Sequence, residues 1–103
     1  MNLKEIILRC NQYEDSDELI HMVFAKKVNE KFESNSEAKV LQLTLEEMEM
    51  NLADIQNSKC PGFDYFLEMN ILQEFYADIR NMKEYKSDEE KVKRIIYYAE
   101  FDA

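Results

Sequence analysis

The chain has 103 residues, 46% hydrophobic and 34% charged, with 13 basic against 22 acidic side chains and a formal net charge of −9. That length suits one domain, and that charge opposes nucleic-acid phosphates and anionic membranes, which are held by Lys and Arg. A single Gly and a single Pro exclude Gly-rich phosphate loops and turn-rich β folds, and leave an all-α chain as the expectation.

A first helix is predicted over residues 2–11, because Leu3, Ile6, Ile7 and Cys10 fall at i, i+3, i+4 and i+7, the spacing of one helical face. Asn11 to Asp17 is polar and turn-prone, and Asp15 with Glu18 has the arrangement of a capping box. The second helix is expected from Ser16 to Phe32, with Ile20, Phe24, Val28 and Phe32 on one stripe and Leu19 and Val23 beside it. Glu33-Ser34-Asn35-Ser36 breaks the pattern, and Ser36 is placed to cap a third helix. That helix is predicted over residues 38–56, where Leu41, Leu45, Met48, Leu52 and Ile55 recur at intervals of 4, 3, 4 and 3.

Cys60-Pro61-Gly62 marks a turn. A fourth helix follows over residues 64–83, with Tyr65, Met69, Leu72, Phe75, Tyr76, Ile79 and Met82 as its apolar face. Ser87 and Glu90 form a Ser-x-x-Glu box that opens a fifth helix carrying Val92, Ile95, Ile96 and Ala99. The expected fold is therefore a single all-α domain over residues 1–103, five helices in a bundle-like or orthogonal packing, with Leu45 and Phe75 in its core.

The chemistry-bearing residues are sparse. His21 is the one histidine, so every Ser-His or Cys-His pair depends on it, and neither Cys10 nor Cys60 sits in a nucleophile signature. Glu18 and His21 have the Glu-x-x-His spacing of di-iron bundles, but such sites need a second pair. Glu46-Glu47-x-Glu49 with Glu74 and Asp78 has the residue types of the all-α Mg²⁺-dependent nucleotide pyrophosphatases without their spacings. A Mg²⁺-dependent nucleotide hydrolase is thus the runner-up, and the principal expectation is a protein with no catalytic residues, metal or cofactor.

Charge distribution carries the functional expectation. Residues 36–79 hold only Lys39 and Lys59 against nine acids, which is −7 of the total −9. On the predicted third helix, Leu43 and Met50 fall opposite the core stripe and are flanked by Glu46, Glu47 and Asp54, while Glu74 and Asp78 share a polar face of the fourth. An apolar centre with a charged rim is the anatomy of an interface. Those seven residues are the expected partner-binding site. The expected partner is a basic protein, such as a nuclease or other nucleic-acid enzyme, which an acidic chain binds and inhibits or regulates. Immunity proteins, antitoxins and phage-encoded inhibitors share this charge and size. A structural homodimer, burying Leu43 and Met50 against a second copy, is the other alternative. Two isolated cysteines, no membrane-spanning run and an N-terminus unlike a signal peptide make the expected compartment the cytoplasm.

Overall fold

The computed structural model describes residues 1–101. Its elements are α1 (Leu3–Leu8), β1 (Leu19–Ala25), β2 (Ala38–Thr44), α2 (Leu45–Met48), α3 (Leu52–Lys59), β3 (Asp64–Glu68), α4 (Met69–Arg80) and α5 (Asp88–Phe101). The all-α expectation is overturned. The chain is mixed α/β, 47% helix and 23% strand, around a three-stranded antiparallel sheet of order β2-β1-β3.

Of the five predicted helices, the second is overturned entirely and the third in its first half. The predicted helix over residues 16–32 contains β1 and the start of the β1–β2 connection. Its run Leu19-Ile20-His21-Met22-Val23-Phe24-Ala25 is apolar nearly throughout because the central strand is covered on both faces. Val23 and Ala25 enter one core with α1, α4 and α5, while Met22 and Phe24 enter a second core with Ile55 of α3. Alternate side chains of a strand point to opposite faces, so the sheet is the middle of three layers.

The predicted helix over residues 38–56 breaks into β2, α2 and α3. Ala38 and Val40 join the first core, and Leu41 and Leu43 the second. Thr44 ends the strand by capping α2: its hydroxyl accepts the Glu47 N–H at 3.2 Å, and the Glu47 carboxylate accepts the Thr44 N–H at 3.0 Å. Asn51 then caps α3, its side-chain carbonyl accepting the Asp54 N–H at 2.9 Å. Leu45, expected in the core, is 53% exposed.

The fourth helix starts later than predicted, since residues 64–68 form β3. A bulge in the β1–β3 pairing, between Val23 and Phe24, leaves Leu67 opposite Val23 and Tyr65 opposite Phe24. The unpaired Phe66 therefore faces the same core as its neighbour Leu67, where it meets Phe32 edge-on at a ring separation of 5.1 Å. The first helix, the Pro-Gly turn and the start of the fifth helix hold in outline: α1 spans Leu3–Leu8 with Asn2 as its cap, Gly62 turns at φ +87°, and the Ser87 hydroxyl accepts the Glu90 N–H at 3.1 Å at the start of α5. Ser36 caps no helix, since β2 follows it, and its hydroxyl accepts the Glu33 N–H at 2.9 Å.

The β1–β2 connection contains a tight turn without glycine, in which Asn29 and Glu30 take φ of +53° and +69°. Beyond that turn the segment lies against α5: the Phe32 N–H donates to the Glu100 carboxylate at 2.7 Å, and Glu89 accepts from Ser34 at 3.1 Å. No helix among the described residues is long and apolar enough to cross a membrane.

Candidate functional site

The seven expected interface residues do not form one surface. Leu43 leaves the set, because strand geometry turns it into the second core, where it is 0% exposed. Glu74 and Asp78 are exposed on α4, whose buried residues Met69, Leu72 and Ile79 belong to the first core. Glu46, Glu47, Met50 and Asp54 lie on α2, α3 and their junction, beyond the other face of the sheet. The carboxylates that would have held Mg²⁺ are therefore divided between two sides of the molecule. Among the described residues no group of three or more His, Cys, Asp or Glu is placed to hold a metal ion. The homodimer built on Leu43 loses its anchor in the same way.

Glu47 is also not a free charge. It closes the α2 capping box and pairs with Lys59 at the end of α3. The hydrogen bond from Lys59, followed by the backbone bond at Thr44, lowers its carboxyl from the usual 4.5 to about 2. Its work is to fasten α2 to α3.

What the fold adds is a second acidic segment. Leu19 pairs with Thr44 at one end of the β1–β2 ladder. Glu14, Asp15, Asp17 and Glu18 precede Leu19, and Glu46, Glu47 and Glu49 follow Thr44. The antiparallel register thus delivers both acidic runs to the same end of the sheet, where Glu18, Leu19, Thr44, Leu45 and Glu46 line an open depression of about 410 Å³. Lys59, bonded to Glu47, supplies a counter-charge at α2. The other end of the ladder is mixed in charge, with Lys26, Lys27, Lys31 and Lys39 beside Glu30, Glu33 and Glu37, and Lys26 pairs with Glu37 at 3.2 Å.

Apolar side chains accompany the acids. Met50, in the short link after α2, is 39% exposed, and Leu52, the first residue of α3, is 40% exposed; both fall between Glu49 and Asp54. The segment before β1 is held in place. Gln73 of α4 donates to the Cys10 and Tyr13 carbonyls at 2.7 and 2.6 Å. Asp15 accepts the His21 N–H at 2.8 Å, and its carboxylate lies 2.9 Å from the His21 ring Nδ1. Asp15 is thus a partner of His21 and not the cap of a helix, and the Glu18–His21 spacing loses its helical meaning in a strand. Burial pushes the Cys10 and Cys60 thiols above their ordinary range, against nucleophilic thiolate chemistry.

Comparison with protein-family models, curated proteins and solved structures returns no match.

Proposed function

We propose that this chain is a small cytoplasmic binding protein whose acidic end docks on a basic protein and blocks or regulates it. A nuclease or other nucleic-acid enzyme is the partner class that suits best, since such enzymes present positive clefts that a carboxylate-rich surface can occupy. The observation that carries this reading is the β1–β2 register, which gathers the acids of residues 14–18 and 46–49 at one end of the sheet beside exposed Met50 and Leu52. Glu18, Glu46, Glu49 and Asp54 supply the steering field, and Met50 and Leu52 the surface that loses water on contact. Two free cysteines kept apart in separate cores agree with a reducing compartment.

Three baits test the proposal in the native host: the wild-type chain, a Glu46→Lys/Glu49→Lys/Asp54→Lys variant, and a Glu74→Lys/Asp78→Lys variant. A basic protein retained by the first and third but lost from the second is the expected result. Equal retention by all three baits, or a partner that is itself acidic, would exclude the acidic end as the docking surface.

A further inference from the structure

Two leucines meet at the acidic end of the sheet without entering either core. Leu45, the first residue of α2, is 53% exposed, and Leu19, the first of β1, is half-buried. Together with Glu18, Thr44 and Glu46 they line the open depression of about 410 Å³. The register explains the meeting. Leu19 and Thr44 are the last pair of the ladder, and Leu45 lies one step beyond it. The depression thus has apolar surface in contact with water, and a carboxylate comes to it from each of two separate segments.

Both segments are fixed by local bonds that do not engage those carboxylates. On one side the Ser16 hydroxyl accepts the Glu18 and Leu19 N–H groups at 3.3 and 3.1 Å, and the Ser16 N–H donates to the Leu19 carbonyl at 2.9 Å. On the other, the Thr44–Glu47 capping box sets the first turn of α2, which carries Leu45 and Glu46. Neither Glu18 nor Glu46 joins an ion pair among the described residues. Residues 10–25 and 40–58, from which the depression is built, hold eight carboxylates and no Lys or Arg. Lys59 reaches α2 from the end of α3, and Glu47 holds it.

These features select the occupant. A purely apolar side chain would cover the leucines and strip water from two carboxylates without replacing it. A bare divalent ion takes six or more oxygen ligands, and no metal-holding group of three is placed among the described residues. Arginine meets both demands. Its methylene stem lies along apolar surface, and its planar, weakly hydrated guanidinium carries enough donors to serve two carboxylates at once. Lysine brings a compact, strongly hydrated point charge instead.

We infer that this depression seats one arginine side chain of the basic partner, its stem over Leu19 and Leu45 and its guanidinium between Glu18 and Glu46. The inference rests on the docking of a basic protein proposed above and gives that surface an anchor, since arginine is among the residues that dominate interface energies.

The probe is N-acetyl-arginine methylamide, titrated into the full chain while the Leu19 and Leu45 methyl signals are followed by NMR. The lysine and citrulline analogues are titrated alike; citrulline keeps the shape of arginine and lacks its charge. The arginine probe should shift both methyls saturably, the lysine probe should bind more weakly, and the citrulline probe should not saturate. Glu18→Gln/Glu46→Gln should weaken the arginine probe about threefold to tenfold. Its melting temperature should match the wild type, since neither carboxylate caps a helix or pairs with a cation. Equal binding of the arginine and lysine probes overturns the inference, as does a double variant that binds like the wild type or a shift centred on Glu74 and Asp78. A Glu18→Gln/Leu45→Ala bait separates this inference from the reading beneath it. It should retain less of the captured partner than the wild type. A partner held fully by this bait but lost from Glu46→Lys/Glu49→Lys/Asp54→Lys leaves the docking standing and overturns the arginine seat. If no bait captures a partner, the docking falls, and the titration still decides the seat.

Discussion

Leu43 and Leu45 stand two residues apart, and the strand assignment gives them opposite fates. Leu43 is 0% exposed in the core beside Met22, Phe24 and Ile55, whereas Leu45 is 53% exposed in the first turn of α2. Leu43→Ala removes buried methyl groups and leaves a cavity under the sheet, a loss of about 2–5 kcal/mol. Against a total stability of roughly 5–15 kcal/mol for an ordinary domain, that is a large fraction. At about 4–8 °C per kcal/mol for a domain this small, the melting temperature should fall by about 8 °C or more. Leu45→Ala should change stability by less than about 0.5 kcal/mol, since it sits on the surface at a position where Ala favours helix. Urea titration of both variants measures this directly, with an unchanged slope confirming that only stability has moved. A continuous helix over residues 38–56 demands the reverse order, a costly Leu45→Ala and a silent Leu43→Ala, and that result would refute the fold.

Three further outcomes follow from local geometry. Glu47→Gln keeps a side chain able to cap α2 but loses the charge facing Lys59. Because the folded carboxyl titrates at about 2 instead of 4.5, the wild-type advantage should be full above pH 4.5 and fade as pH falls toward 2, as read from melting temperatures across that range. Glu30 holds φ +69° in the β1–β2 turn, so Glu30→Gly should stabilise the chain by about 1 kcal/mol by relieving a left-handed conformation that L side chains resist. A drop in melting temperature would show that the Glu30 side chain matters more than its backbone. Met50→Asp, at an exposed position, should shorten the lifetime of the partner complex at every salt concentration while leaving the melting temperature unchanged.

The parts of the fold legible in the sequence are those where helix signals stood alone. Leu3, Ile6 and Ile7 on α1, the Ser87–Glu90 box and the Pro61-Gly62 turn all have one reading. Residues 16–56 misled for physical reasons. Ile20, Phe24, Val28 and Phe32 are spaced by four, an interval that suits a helical stripe and is also twice the strand period. A central strand covered on both faces loses its alternation, so β1 offered no period-two signal. The scarcity of glycine argued against β-turns, yet one tight turn sufficed between β1 and β2, and Asn29 and Glu30 supply its positive φ. One legible signal went unused: Thr44-x-x-Glu47 is a capping box that starts a helix at Leu45 and contradicts any helix running through it. For the site, the charge excess of residues 36–79 pointed to Glu46, Met50 and Asp54. The contribution of residues 14–18 depends on strand pairing across the β1–β2 connection, which no local pattern contains.

The central claim is that one end of the sheet, and not the acidic chain as a whole, meets the partner. Its most direct measurement is the association rate of the captured partner across a salt series, for the wild type, for Glu46→Lys/Glu49→Lys/Asp54→Lys and for Glu74→Lys/Asp78→Lys. The triple variant should associate much more slowly at low salt, converging toward wild type as screening removes the steering field, and the α4 double variant should track the wild type. Equal slowing by both variants, or loss confined to the α4 pair, would contradict the account.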